Sequence, residues 1–112
     1  MAQLTDRIAL VTGAGRGIGK GCALALARAG ADLIINDRPD NPDLETTATQ
    51  IRALGRSCTT VEADVFSRSG CEQIVNTAAE TAGRVNILVS NPAYGLRSPF
   101  LEYEPDHFER VI

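Results

Sequence analysis

The stretch IALVTGAGRGIG, residues 8–19, joins a short apolar run to a series of closely spaced glycines. The run from Ile8 to Thr12 has no polar alternation, which is typical of a strand that is covered on both faces. A helical pattern of apolar residues begins at Ile18 and stops at Gly30, a residue type that favours helix ends. A strand, a glycine turn and a helix in this order predict the start of a β–α–β unit.

Short apolar runs and helical patterns continue to alternate along the rest of the chain. The sequence predicts strands at 8–12, 33–35, 57–62 and 87–89, and helices at 18–29, 42–54 and 69–82, with a further helix opening near Pro105. This alternation predicts the α/β class, as a Rossmann-type doubly wound parallel sheet in which right-handed crossovers give the strand order 3-2-1-4. We expect residues 1–112 to form one domain, with a sheet that is incomplete at its carboxyl end.

Apolar residues at helical spacing predict which helix faces turn towards the core. The third strand is only partly apolar and suits an edge, whereas the run at 87–89 predicts a fourth buried strand. Asn41 followed by Pro42 predicts the N-cap and first position of the second helix. The side chains expected to face inwards are Ile18, Cys22, Ala25, Leu26 and Ala29 in the first helix, Leu44, Ala48, Ile51 and Leu54 in the second, and Ile74, Val75, Ala78 and Ala82 in the third.

The composition disfavours several classes of protein. A net charge of −3 and a pI near 5.0 argue against a nucleic-acid partner. No apolar run approaches the ~20 residues of a membrane helix and the first residues lack the pattern of a signal peptide, so we expect a cytoplasmic protein without a membrane partner. Cys22, Cys58 and Cys71 lie far apart, with no histidine at ligand spacing. We therefore expect buried thiols and no metal site.

The glycines between the first strand and the first helix are suited to receive a diphosphate. At this position a diphosphate meets free backbone N–H groups and the positive end of the helix dipole. Gly13 permits the tight turn, Gly17 removes a side chain where the phosphate approaches, and Gly19 lets the helix pack closely on the strand. The spacing fits neither GxGxxG, which would need glycine at Ile18, nor the P-loop, which would need Ser or Thr at Gly21. The candidate cofactor contacts in the turn are Gly13, Gly15, Arg16, Gly17, Ile18 and Gly19.

Asp37 is the candidate for recognition of the adenosine ribose. It lies 24 residues after Gly13, close to the ~20 at which an acidic residue meets the ribose in dinucleotide-binding folds. A carboxylate there accepts hydrogen bonds from the ribose hydroxyls and repels a 2′-phosphate, which favours NAD. Arg16 and Arg38 favour the alternative, NADP, because a guanidinium binds a phosphate bidentately. Since the carboxylate lies at the strand end itself, we predict NAD as the cofactor and keep NADP as the alternative.

TGAGRGIG, residues 12–19, has the spacing GxxxGxG preceded by Thr and resembles the glycine motif of the short-chain dehydrogenase/reductase family. Asp64-Val65 is similar to the pair with which that family contacts adenine. NILVSNPA, residues 86–93, resembles the family's DILVNNAG segment, with Asn91 at its cofactor-contacting asparagine. Asp64 and Asn91 are also residue types found in ordinary turns and caps, and this alternative stays open. The departures from the family pattern are Asn86, Ser90, Pro92 and Ala93.

The resemblance implies an oxidoreductase that transfers a hydride between a nicotinamide and a carbonyl or secondary alcohol, and that forms homo-oligomers when complete. The family transfers protons with a Ser and a Tyr-x-x-x-Lys pair. No such pair occurs here, because Ser98 and His107 follow Tyr94 and Tyr103 at that spacing and the only lysine is Lys20. We therefore name no catalytic residue and expect an amino-terminal, cofactor-binding part of a longer enzyme. The alternatives are a non-catalytic dinucleotide-binding module and a Rossmann-like methyltransferase, the latter disfavoured by the family motifs.

Overall fold

The structure, a computed structural model, describes residues 3–91. The predictions for Pro92, Ala93, both tyrosines, His107 and the helix near Pro105 lie outside this range, and the side chain of Ala82 is likewise outside the description. The elements alternate as β1 (Ile8–Val11), α1 (Gly17–Arg28), β2 (Asp32–Asp37), α2 (Asp43–Ala53), β3 (Cys58–Glu62), α3 (Arg68–Ala82) and β4 (Ile87–Val89). None of these three helices is long and apolar enough to cross a membrane.

The four strands form a parallel sheet in the order β3-β2-β1-β4, which confirms the predicted order. β1 lies between β2 and β4, with Ile8 opposite Asp32 on one side and Ala9 opposite Ile87 on the other. The chain therefore reverses its direction of travel across the sheet after β3, and the reversal opens a crevice beside the end of β1. The edge position predicted for β3 is confirmed among the strands of residues 3–91.

Side chains alternate across the strands and give the sheet two apolar faces. Val11 and Ile35 belong to the cluster that also contains residues of α1 and α2. Leu10 and Ile34 belong to the cluster on the opposite face, which contains residues of α3. The crossovers from β1 to β2 and from β2 to β3 run in one direction along the sheet, and their helices α1 and α2 lie on one face. The crossover from β3 to β4 runs in the opposite direction, and its helix α3 lies on the other face, as right-handed connections require.

The inward face of α1 differs from the prediction. Gly19, Ala23 and Ala27, spaced four residues apart, are the buried positions of this helix. Ile18 is 76% exposed and Ala25 is exposed as well. Leu26 packs against the core as predicted. The helix nevertheless approaches the sheet through its smallest side chains, so the predicted face is displaced by about one residue from the buried one.

Three further side chains that were expected to be buried are exposed, namely Leu54 (44%), Val75 (64%) and Leu88 (64%). Leu54 follows the last residue of α2, where Gly55 with a φ of +84° turns the chain away from the core. Val75 and Leu88 border an apolar groove between α3 and β4. The predicted fourth strand is confirmed, and Ile87 and Val89 pack against the core. Within residues 3–91 no strand pairs with the outer side of β4, so the predicted burial of Leu88 is wrong for this part of the chain.

Two of the helices begin with a side-chain cap. At α2, Asn41 Oδ1 accepts a hydrogen bond from Asp43 N at 2.9 Å, and Pro42 already has helical angles of φ −67° and ψ −19°. At α3, Ser67 Oγ accepts a hydrogen bond from Gly70 N at 3.0 Å. Asn41 therefore acts as the predicted N-cap, with proline in the first helical position.

The cysteines have different surroundings, so the expectation that all three are buried is wrong. Cys58 is buried, Cys22 is half-buried and Cys71 is exposed. Burial raises the pKa of the Cys58 thiol to about 11. Cys58 therefore remains a protonated, unreactive thiol at neutral pH.

The position of Leu54 outside the core gives a matched pair of substitutions. Ile51→Ala should lower the free energy of unfolding by about 2–5 kcal/mol, because it leaves a cavity where a fully buried side chain packs. Leu54→Ala removes a similar volume three residues later and should cost less than about 1 kcal/mol. Denaturant unfolding of the purified protein measures both values. Equal losses would contradict the exposed position of Leu54.

Candidate functional site

The candidate site lies at the carboxyl end of the sheet, where the chain leaves β1 between its two neighbours. Thr12 N donates a hydrogen bond to Val89 O at 3.0 Å, and Ala14 N donates one to Asn36 O at 2.8 Å. Asn91 N donates in turn to Thr12 Oγ1 at 2.9 Å. The loop after β1 is therefore held on both sides, at the crevice where doubly wound sheets bind their ligands.

Gly13 and Gly19 lie where backbone segments meet without space for a side chain. A Cβ at Gly13 would collide with the carbonyl of Asn91, and a Cβ at Gly19 would collide with the carbonyl of Gly13. Gly13 also has a φ of +64°, which residues with a side chain rarely adopt. The two glycines thus bring the start of α1 directly against the ends of β1 and β4.

The amino terminus of α1 has the properties of an anion cradle. Gly17 has a φ of +63°, and a Cβ added to it would meet nothing within 4 Å. Arg16, the N-cap residue, makes no side-chain cap hydrogen bond, and the first turn of α1 carries no acidic side chain. Its first N–H groups and the positive end of its dipole are therefore available to a ligand. These features fit a phosphate or a diphosphate.

Asp37 is the last residue of β2, and two backbone N–H groups fix its carboxylate. Oδ2 accepts a hydrogen bond from Gly15 N at 2.8 Å, and Oδ1 accepts one from Arg38 N at 2.8 Å. The carboxylate also fills the space beside Gly15, where a Cβ would come within 2.7 Å of Asp37 Oδ2. Because each carboxylate oxygen accepts two hydrogen bonds, the half-buried Asp37 retains acceptor capacity.

Asn36, the residue before Asp37, is 1% exposed and joins the ends of β2 and β3. Its Nδ2 donates to Val61 O at 2.9 Å and to Ala63 O at 3.1 Å. These bonds hold the exit of β3 beside Asp37. Asn36 was not predicted to have a role. A polar residue at the end of an apolar run was an available signal, since buried amides need partners.

Asp64 and Val65 follow β3 in the turn that precedes α3. Asp64 Oδ1 accepts a hydrogen bond from Phe66 N at 2.8 Å, and Asp64 O accepts one from Ser67 Oγ at 3.0 Å. Val65 is half-buried against the apolar cluster beneath α3. Asp64 thus has the turn role that the sequence left open. A contact with adenine remains compatible with that role, because a carboxylate has further acceptor positions.

Two adjoining depressions, of about 580 and 400 Å³, lie over these residues. Arg16, Arg38 and Asn41 line both of them. The larger depression extends to Asp64 and Phe66, and Val65 lines a small third recess beside it. Gly15 and Gly19 line neither large depression. The smaller depression brings together most of the predicted contacts, namely Gly13, Arg16, Gly17, Ile18, Asp37, Arg38 and Asn91.

Six of the residues that line the depressions were not predicted as contacts, namely Pro39, Asp40, Asn41, Pro42, Asp43 and Phe66. Asn41 and Phe66 are two examples. Asn41 was recognised only as a helix cap, and Phe66 received no role. Both follow a predicted contact closely in the sequence, Asn41 after Arg38 and Phe66 after Val65. Proximity to the end of a strand was therefore the signal that would have identified them.

Comparison with known proteins extends these observations. The sequence model of the short chain dehydrogenase family matches residues 7–112. The chain is 41% identical over 102 residues to the oxidoreductase UcpA of Salmonella typhimurium, a match that covers 91% of this chain and 38% of UcpA. The chain therefore spans well under half the length of this curated relative.

Solved structures are also similar to this chain. A short-chain type dehydrogenase/reductase from Mycobacterium marinum has a TM-score of 0.88 and 28% identity, with 97% of this chain and 44% of that protein covered. Carveol dehydrogenase from Mycobacterium avium, in complex with NAD, has a TM-score of 0.86 and 27% identity, with coverages of 99% and 44%.

The contact between Gly19 and Gly13 predicts opposite effects for two glycines of the same helix. Gly19→Ala should lower the free energy of unfolding by about 1–3 kcal/mol, because the added methyl group overpacks the Gly13 carbonyl. Gly21→Ala is the matched control, because a Cβ there meets nothing within 4 Å. It should raise the free energy by about 0.5–1 kcal/mol through helix propensity. Urea unfolding of both variants tests this contact, and a Gly19→Ala variant as stable as the unsubstituted protein would contradict it.

Proposed function

The chain belongs to the short-chain dehydrogenase family, and from this premise we propose that the protein is an oxidoreductase that uses a nicotinamide dinucleotide, with residues 1–112 as its dinucleotide-binding part. One observation carries the proposal: the uncapped terminus of α1 and the fixed carboxylate of Asp37 flank the same depression. This is the arrangement that a diphosphate joined to a ribose needs. The complex of carveol dehydrogenase with NAD supports a ligand of this class.

The diphosphate would be held at the glycine turn. The first N–H groups of α1 supply hydrogen-bond donors, and the helix dipole favours negative charge. Gly17 allows the phosphates to approach the backbone because it presents no side chain. Arg16 and Ile18 line the same depression and would add a positive charge and an apolar contact.

The adenosine ribose would meet Asp37, and this contact favours NAD over NADP. The carboxylate is held by Gly15 N and Arg38 N, so it cannot move away from a 2′-phosphate without losing both bonds. The two ion pairs within residues 3–91 are Arg52–Glu45 and Arg68–Glu72. No ion pair in that range therefore neutralises Asp37, and NADP remains the alternative through the exposed Arg16 and Arg38.

The adenine would lie towards the larger depression. Asp64 lines that depression and Val65 lines the small recess beside it. We propose that the Asp64 carboxylate accepts from the adenine amino group while Val65 gives an apolar contact. Phe66 N already occupies one acceptor position of Asp64, which fixes the carboxylate in place.

Asn91 would contact the nicotinamide half of the cofactor, since it borders the glycine turn on the side of β4. When bound, the nicotinamide supplies or accepts a hydride, and we propose a small carbonyl compound or a secondary alcohol as the substrate. Residues 1–112 bind and orient the cofactor, and we assign no catalytic residue among them. Because the chain covers 38% of UcpA, the reaction is proposed for the whole protein.

We extend the proposal to a homo-oligomer in the cytoplasm with no nucleic-acid partner. The family resemblance supports the assembly. The unpaired state of Cys22, Cys58 and Cys71 fits a reducing compartment. The net charge of −3 supports the absence of a nucleic-acid partner.

The preference for NAD can be tested at the two ends of β2. Asp37→Asn keeps an acceptor for Gly15 N but removes the negative charge. It should shift the ratio of NADPH to NADH affinities about tenfold or more towards NADPH, because like-charge repulsion is lost. Titration of the purified protein with each cofactor measures the ratio.

Asp32→Asn is the matched control. Asp32 lies at the opposite end of β2, where its Oδ1 accepts a hydrogen bond from Ser57 N. The variant makes the same change of net charge and should leave the ratio unaltered. A ratio unchanged in Asp37→Asn, or changed equally in both variants, would refute the assignment of Asp37.

A further inference from the structure

We infer that Thr47, on α2, is a positioning residue for the cofactor: its hydroxyl orients the peptide that follows Gly15 so that the turn is ready for the diphosphate. This inference rests on the proposed function. Thr47 lies far from the glycine turn in sequence and in none of the motifs that identify the family. It also lines neither depression, so any effect on binding must pass through the turn.

The Thr47 side chain is 0% exposed, and its hydroxyl contacts the turn directly. Oγ1 donates towards Gly15 O at 3.3 Å and towards Asp43 O, one helical turn earlier in α2, at 3.2 Å. One hydroxyl proton is thus shared between the helix and the turn. Burial of a hydroxyl lowers stability unless the hydroxyl is hydrogen-bonded. Of the two bonds, the one to Gly15 O connects α2 with the glycine turn, whereas the one to Asp43 O lies within α2.

Gly15 is therefore held from two sides by different elements. Asp37, at the end of β2, accepts from its N–H, and Thr47, in α2, donates to its C=O. Glycine has the widest range of backbone conformations, so a turn rich in glycine needs outside contacts to remain in one conformation. The two hydrogen bonds to Gly15 are such contacts. Because they fix the turn before a ligand arrives, the binding free energy is not reduced by the loss of conformational entropy in the turn.

The bond to Thr47 also determines the direction of a backbone donor. In a trans peptide the C=O and the following N–H point in opposite directions, and residues 3–91 contain no cis peptide. Because the Gly15 carbonyl points to α2, the Arg16 N–H points away from α2. Arg16 lines both depressions, at the start of α1 where the diphosphate is proposed to bind.

Thr49 is a control within the same helix. Its hydroxyl donates to Glu45 O at 3.0 Å, the same bond to the preceding turn that Thr47 makes with Asp43. Thr49 is exposed and has no contact with the glycine turn among the hydrogen bonds of residues 3–91. A comparison of the two threonines therefore separates the bond to Gly15 from the effect of a threonine in a helix.

The test is the affinity of the purified protein for NADH, measured below the melting temperature of each variant. Thr47→Val keeps the shape of the side chain and removes the hydroxyl. It should weaken NADH binding about 3- to 10-fold, the range expected for the loss of one hydrogen bond. Thr49→Val should leave the affinity unchanged. Thr47→Ser restores the hydroxyl and should restore the affinity, whereas a residue needed only for stability would lower the melting temperature without this pattern.

If Thr47→Val does not fold, Thr47→Ser and Thr47→Ala carry the test, because these variants differ only in the hydroxyl. NADH should bind more tightly to the serine variant. If the unsubstituted protein binds NADH but the hydroxyl has no effect on affinity, the role of Thr47 is refuted and the proposed function stands. If the unsubstituted protein binds no NADH, the proposed function fails, and this inference fails with it.

Discussion

The contact between the backbone of α1 and the ends of β1 and β4 allows no side chain at Gly13 or Gly19. The rest of the site depends on this approach. It fixes the distance between helix and sheet, which explains why the next inward residues of α1, Ala23 and Ala27, are small. It also directs the amino terminus of α1 over the crevice at the strand ends, where an anion can reach both the helix dipole and the backbone N–H groups.

The polar groups around this terminus divide into fixed acceptors and exposed cations. Asp37 and Asp64 each accept a hydrogen bond from a backbone N–H, so their carboxylates have defined positions. Arg16 and Arg38 are exposed on the borders of the depressions. The carboxylates are thus held by the backbone, whereas the two guanidinium groups extend into solvent beside them. In the proposed function, the carboxylates would discriminate between ligands, while the guanidinium groups would mainly attract phosphate.

Much of the fold could be predicted from the sequence because the signals were local. Strands, helices and the strand order all follow from periodicity and from residues adjacent in the chain. The inward face of α1 was mispredicted because glycine and alanine carry little hydrophobic signal, although they form the closest contact. Leu88 and Val75 were mispredicted because burial depends on what packs beyond β4. Asn36 and Thr47 were missed because their hydrogen bonds join positions far apart in sequence. The polar residue at the end of β2 signalled a buried amide but not its partners, and no local pattern pairs Thr47 with Gly15.

The register of the sheet has a consequence for the order in which the site is assembled. β1 pairs with β2 across a single helix, whereas its pairing with β4 closes a loop about three times longer. Loop-closure entropy rises with length, and non-local parallel pairing is slow. The half of the crevice that contains Asp37 and the first turn of α1 can therefore form before β4 docks. We expect Asn91 to arrive with β4 and to be the last of the described contacts to form. A chain stalled late in folding would then already present the surface proposed to bind the adenosine half of the cofactor.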